Sequence, residues 1–115
     1  MSIASLGARM RVKRVKMALI VAPVSVLGGW AEEGKKFLSK FVRNVRIAKV
    51  HGGKQTDRQK IVRNAWKNSS VEHPYVIISS WGLVCSARTM KAFMPPSGHH
   101  WDYVVLDEAH EIVRI

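Results

Sequence analysis

A single cysteine, Cys85, leaves this chain with no disulfide framework and no cysteine-built zinc site. That economy suits a reducing intracellular compartment. Acids are scarce as well: 8 Asp and Glu stand against 19 Lys and Arg, for a formal net charge of +11. None of the acids precedes Glu32, while Arg9, Arg11, Lys13, Arg14 and Lys16 crowd the start. Residues 1–16 therefore read as a basic arm, and the expected partner is a polyanion, nucleic acid first. Long apolar runs are missing too. Met17–Ala22 is cut by Pro23 and is too short to span a bilayer, so no membrane partner is expected. A basic start followed by this run leaves a secretory or mitochondrial signal as a second reading, behind a basic lead-in to a buried strand. No lysine followed by Ser or Thr sits in a Gly-rich turn, which excludes a phosphate-gripping loop of that kind from these residues. Gly28-Gly29 and Gly52-Gly53 do not fit G-x-G-x-x-G and read as turn or cap glycines. Low-complexity segments and internal linkers are absent.

What remains is enough for one modest core. The chain has 115 residues, 47% of them hydrophobic, with four tryptophans, a composition unlike a disordered segment. Four strand-like runs stand out: Met17–Ala22, Val45–Val50, Tyr75–Ser79 and Trp101–Leu106. They recur at intervals of roughly thirty residues, the length of one strand-plus-crossover unit. Between them lie helical spacers. Ser25 to Lys40 opens on a serine cap candidate and carries Val26, Leu27, Trp30, Phe37, Leu38 and Phe41 on a helical period. Its Gly28, Gly29 and Gly34 predict an irregular first turn. Thr56 to Lys67 places Ile61 and Ala65 inward, with Val62 and Trp66 as further inward positions, and Arg58, Lys60, Arg63 and Lys67 outward. Ser80 to Phe93 is a weaker helix, ended by Pro95-Pro96-Ser97-Gly98.

Alternating strands and helices with continuous apolar strands predict an α/β fold, a parallel sheet with helices on both faces. Right-handed crossovers would then gather all strand carboxyl ends on one edge. That edge would hold Ala22-Pro23-Val24-Ser25, His51-Gly52-Gly53-Lys54, Ser79-Ser80-Trp81-Gly82 and Asp107-Glu108-Ala109-His110. The last of these is the most informative. A short aromatic and β-branched run ends on two adjacent carboxylates, a small residue and a histidine. Open α/β sheets keep their chemistry outside the strand carboxyl ends. Paired carboxylates there suit magnesium-nucleotide hydrolysis: one holds the metal through its waters, the other takes a proton from the attacking water.

Other constellations are weak. His99, His100 and His110 lack a carboxylate or cysteine at metal-binding spacing. Cys85 has no sequence support as a nucleophile and is expected to be a buried thiol. Trp30, Trp66 and Trp101 read as core anchors; Trp81, in a loop on the polar edge, is left open between core and nucleic-acid contact.

These residues resemble a family. Ala18–Trp30, with Glu33 and Lys36-Phe37 beyond, resembles motif Ia of the Swi/Snf-type superfamily-two DNA translocases. Val50-His51-Gly52 resembles the family's histidine-glycine turn, and Val76–Trp81 resembles motif Ib, where a threonine pair and a tyrosine are commoner. Trp101–His110 resembles motif II, the DEAH form of the Walker B box. The nearest look is to the Cockayne syndrome group B and excision-repair-like branch. The resemblance implies that residues 17–115 are a partial first RecA-like lobe lacking its phosphate-loop strand, part of a nuclear, ATP-dependent DNA translocase. It implies ATP and magnesium as cofactors, and double-stranded DNA, with nucleosomes beyond, as partners. Asp107 would hold the magnesium through water, Glu108 would orient or deprotonate the hydrolytic water, and His110 would link the nucleotide to the facing motifs. Pro23, Val24, Ser25, Ser79 and Ser80 would touch the phosphate backbone of one DNA strand, with Lys54 and Arg88 adding attraction.

The departures limit what these residues do alone. The Gly-Lys-Thr loop, the remainder of the first lobe and the second lobe are not among them, so catalysis by this chain alone is not expected. An apolar end at Ile112, Val113 and Ile115 points the same way, toward a truncated piece. Two alternatives therefore stand beside the translocase: a non-catalytic basic DNA-binding remnant, and a fragment without function.

Overall fold

Met17–Ala22 is apolar at every position, and every residue of it is buried as strand β1. A strand with no solvent face needs a neighbour on each flank and a layer on each side. It has all four. The computed structural model of the chain, which describes residues 15–41 and 44–106, shows a four-stranded sheet. Its members are β1, β2 (Arg46–Val50), β3 (Tyr75–Ser80) and β4 (Tyr103–Leu106), in the order β2-β3-β1-β4, all parallel. The predicted parallel α/β sheet is thus present, with strand bounds shifted by one or two residues. Ala22 pairs with Ser80 and Val21 with Leu106, so the three strands end level at the carboxyl edge.

The order dictates where the helices go. From β1 the chain crosses over β3 to reach β2, then turns back to β3 and crosses β1 to reach β4. Reversing direction while keeping right-handed crossovers puts successive connections on opposite faces. Helix α1 (Leu27–Phe41) covers one face, where Leu27 and Leu38 meet Ala18, Ile20, Val76, Ile78 and Val105. Helix α2 (Gln55–Asn68) covers the other, where Val62, Ala65 and Trp66 meet Leu19, Val21, Val50 and Ile77. Each fully buried aliphatic side chain contributes about 1.5–3 kcal/mol, so the alternating β1 residues tie both layers to one strand.

Local differences have physical reasons. The expected serine cap at Ser25 does not form; Val24–Val26 makes a 3-10 turn after Pro23, and α1 begins at Leu27. Gly34 is there for approach: a Cβ on it would meet Ile47 Cδ1 at 3.0 Å, so glycine lets α1 lie close to β2. Ile61, expected inward, is 41% exposed, because the buried stripe of α2 centres on Val62, Ala65 and Trp66. The side chains of Phe37 and Phe41 lie outside the described residues. The predicted helix from Ser80 to Phe93 is instead one turn, α3 (Trp81–Val84), followed by an irregular stretch and a 3-10 turn at Met90–Phe93. Ser and Thr break it. Ser80 Oγ accepts from Leu83 N, Thr89 Oγ1 donates to Leu83 O at 2.6 Å, and Ser86 O accepts from both Thr89 N and Met90 N. Such local bonds offer the backbone an alternative to the helix. Cys85, in consequence, sits at the end of α3 and is exposed, not the buried thiol expected. Among the described residues no helix is long and apolar enough to cross a membrane.

The tryptophans behave as anchors. Trp66 is buried, Trp30, Trp81 and Trp101 pack partly buried against the two cores, and Trp101 Nε1 donates to Phe93 O at 2.9 Å. Beside it, Asp102 does something the sequence did not announce. Its Oδ2 accepts from the backbone N–H of Lys16 and of Met17, each at 3.0 Å, while its own N–H donates to Met17 O. Three bonds therefore lock the start of β4 to the start of β1. Asp102→Ala should lower unfolding free energy by roughly 1–2 kcal/mol, the scale for charge-assisted bonds on an exposed group. Asn at the same position should recover part of it. Urea denaturation of the three proteins checks both, and an unchanged midpoint for Ala would contradict the lock.

Candidate functional site

A parallel sheet wound in two directions has a crevice where the winding reverses, outside the carboxyl ends of two adjacent strands. Here those strands are β1 and β3. The chain leaves β1 for the α1 face and leaves β3 for the α2 face. The crevice mouth is therefore flanked by Pro23-Val24-Ser25 on one side and Ser80-Trp81 on the other, set level by the Ala22–Ser80 pairing. Val24 is exposed, in keeping with a position at the lip. The β2 loop, His51-Gly52-Gly53-Lys54, lies at the same edge beyond β3, and β4 ends there at Leu106. Asp107, Glu108 and His110 lie outside the described residues, as do Ile112, Val113, Ile115 and the basic arm up to Arg14.

Of the residues that the resemblance assigns to DNA, the structure brings Pro23, Val24, Ser25, Ser79, Ser80 and Lys54 to this one edge. It also gives the two β3 serines internal work. Ser79 is 0% exposed, and its hydroxyl donates to Val50 O at 2.7 Å, closing β3 onto the end of β2. Ser80 is 2% exposed and its hydroxyl caps α3 through Leu83 N. Lys54 occupies the cap position of α2 with an exposed side chain. Arg88 is exposed on the irregular stretch after α3, where its N–H meets Ser86 Oγ at 3.3 Å.

Arg58 is a contributor that the helical pattern did not reveal. Taken as an outward solvating residue, it folds back and donates from Nη1 to Gly52 O at 3.0 Å and Gly53 O at 2.7 Å. Both glycines have positive φ, 77° and 67°, a pair of conformations that side-chain-bearing residues adopt only under strain. The histidine-glycine turn is thus shaped by its glycines and held by an arginine one helical turn away. With both carbonyls turned to Arg58, the loop presents Lys54 and the start of α2, which has no side-chain cap, at the sheet edge. His99, one of the three weak metal candidates, lies edge-on to Trp66 at 5.9 Å between ring centroids.

The fold and this crevice define the class: a parallel α/β sheet with helices, consistent with part of a RecA-like lobe. The chain belongs to the SNF2-related domain family, whose model matches residues 1–114. Helicase swr1 of Schizosaccharomyces pombe is 35% identical over 94 residues, 82% of this chain and 6% of that protein. ISWI chromatin-remodeling complex ATPase ISW2 of Saccharomyces cerevisiae is likewise 35% identical over 94 residues, 82% of this chain and 7% of that protein. DNA excision repair protein ERCC-6-like of Danio rerio is 28% identical over 97 residues, 82% of this chain and 6% of that protein. The similarity therefore spreads across branches and singles out none, the excision-repair one included. The chain spans only 6–7% of the length of these relatives. No solved structure matches it.

Ser79→Ala should cost about 1 kcal/mol, the net worth of one buried hydrogen bond, by freeing Val50 O inside the sheet. Thermal unfolding checks it. A Ser79→Ala protein of undiminished stability would mean that the hydroxyl is not needed where the structure puts it.

Proposed function

We propose that this chain is part of the first lobe of a Swi/Snf-type ATPase that moves along duplex DNA, and that its carboxyl edge carries the contacts to one DNA strand. The observation that carries the reading is the switch-point crevice. Topology alone brings the motif Ia turn, the histidine-glycine turn, the motif Ib serines and the end of the motif II strand to one edge. Family membership supports it, as do relatives described as helicases, a remodelling ATPase and an excision-repair protein.

In this reading the parts divide the labour by their chemistry. Backbone N–H groups of the Pro23–Ser25 turn and of the α3 start meet phosphate oxygens, a contact that positions without reading sequence. Ser79 and Ser80 hold those segments in register from inside, since their hydroxyls are already bonded. Lys54 and Arg88 add salt-dependent attraction. Asp107 holds magnesium on the nucleotide through water, Glu108 serves the hydrolytic water, and His110 connects the nucleotide to the facing lobe. ATP turnover requires the Gly-Lys-Thr loop and an arginine finger, which these 115 residues do not contain. The excision-repair-like branch and the chromatin-remodelling branches share this chemistry, and duplex DNA is the substrate in either. A nuclear location goes with that substrate.

One binding experiment tests the reading on this chain. Fluorescence anisotropy with a labelled duplex should show binding that weakens steeply with salt, as counterion release requires. Replacing Lys54 and Arg88 together by Ala should weaken it and lower the salt slope by about two, one per phosphate contact. Magnesium-ATP should leave the affinity of this chain unchanged. Binding with no salt dependence, or a double variant identical to the parent, would contradict the assigned edge.

A further inference from the structure

Gly52 and Gly53 are the most permissive pair a backbone can carry, and they stand at an edge where a fixed shape matters. Both take positive φ, 77° and 67°. Space is not the reason for glycine here. A Cβ on Gly52 would meet nothing within 4 Å, and one on Gly53 only Asp57 Oδ2 at 4.0 Å. Backbone conformation is the reason. His51, Gly52, Gly53 and Lys54 are all exposed, so no layer of side chains packs the turn into place. A glycine pair left to itself would sample many conformations, and a ligand that needs one of them would have to select it.

One residue removes that freedom. Arg58 Nη1 donates to Gly52 O at 3.0 Å and to Gly53 O at 2.7 Å, and the Arg58 backbone N–H donates to Lys54 O at 3.1 Å. Three consecutive carbonyls thus converge on Arg58. In a planar trans peptide the N–H points opposite to the preceding C=O, so the N–H groups of Gly53 and Lys54 are turned away from it. Arg58 itself is half-buried, and its Nε is closed to solvent with no acceptor among the described residues. The side chain is therefore directed into the turn. Its bonds are charge-assisted, roughly twice as strong as neutral ones.

We infer that Arg58 is a positioning residue for duplex DNA: it holds the His51–Lys54 turn in one conformation, so that the Lys54 ammonium and the N–H groups of Gly53 and Lys54 meet a phosphate already arranged. Arg58 touches no phosphate. That role rests on the DNA reading of the carboxyl edge, and adds to it a residue that its outward helical position does not mark. Without the hold, the turn must be ordered as DNA binds, and affinity falls although no contact to DNA has been removed.

The test uses the full chain, a labelled duplex and fluorescence anisotropy. Arg58→Met, which keeps the stem and removes the donors, should weaken binding about ten-fold. Gly53→Ala strains the same turn with Arg58 in place, and should weaken it by a similar factor. The double variant should bind within about two-fold of either single one, because both changes undo the same arrangement. Arg63→Met removes the same charge from an exposed position of α2, and Asp102→Ala loosens the other end of the sheet; each should alter affinity by less than about two-fold. Without DNA, the order parameter of the Gly53 amide should fall from about 0.85 in the parent to below about 0.6 in Arg58→Met. Losses that multiply in the double variant would make Arg58 a direct phosphate contact and overturn the proposal. An unchanged order parameter would overturn it too, as would a loss from Arg63→Met or Asp102→Ala as large as that from Arg58→Met. A parent chain that does not bind duplex overturns the DNA reading itself. A parent that binds, with an Arg58→Met protein that binds equally well, overturns the role of Arg58 alone.

Discussion

Met17–Ala22 pairs with β3 on one flank and β4 on the other, and its alternate side chains enter two separate cores, so it has no direction in which to face water. That constraint organises the rest. The helices must take opposite faces, because the chain leaves β1 in one direction and returns across it in the other. The same reversal creates the crevice between the ends of β1 and β3. Fold and candidate site are therefore consequences of one placement: the most apolar strand at the centre of the sheet.

Two polar side chains at the ends of the strands make the placement specific. Asp102 fixes the start of β4 against the start of β1, and Ser79 fixes the end of β3 against the end of β2. Both are polar residues at strand ends, and the resemblance assigns one of them, Ser79, to a DNA phosphate. Their observed bonds are to the chain itself. At the carboxyl edge this separates two kinds of residue: serines that hold the segments in register, and backbone and basic groups left facing outward. Arg58 belongs with the first kind, since its guanidinium is bonded to the glycine turn.

Much of this was legible in the residues. Strands with continuous apolar runs, and α1 and α2 with their periodic stripes, announce themselves because burial of whole faces leaves a pattern in consecutive positions. The gathering of three loops and the end of β4 on one edge followed from parallel topology alone. The failures have a different origin. Ser80, Ser86 and Thr89 ended the third helix by bonding to nearby backbone, a competition that an apolar period does not register. Ile61 and Val62 are adjacent, and only the packing decides which of them turns inward. Asp102 reaches residues 85 and 86 positions away, and Arg58 reads as any solvated arginine until the glycine carbonyls are placed beside it. Contacts of that kind are set by tertiary structure. The motif II carboxylates were read from sequence and resemblance, and lie beyond the described residues.

The central claim is that β1 is the doubly covered middle strand on which both layers depend. Native-state hydrogen exchange measures it directly, because amides that open only with global unfolding report the full stability while edge and loop amides do not. The N–H groups of Leu19, Ile20 and Val21 should exchange slowest in the chain, at a rate that follows global unfolding in denaturant. Exchange of these three as fast as that of Gly52, Gly53 and Lys54 would mean that β1 is not at the centre, and the sheet order and the crevice built on it would fall together.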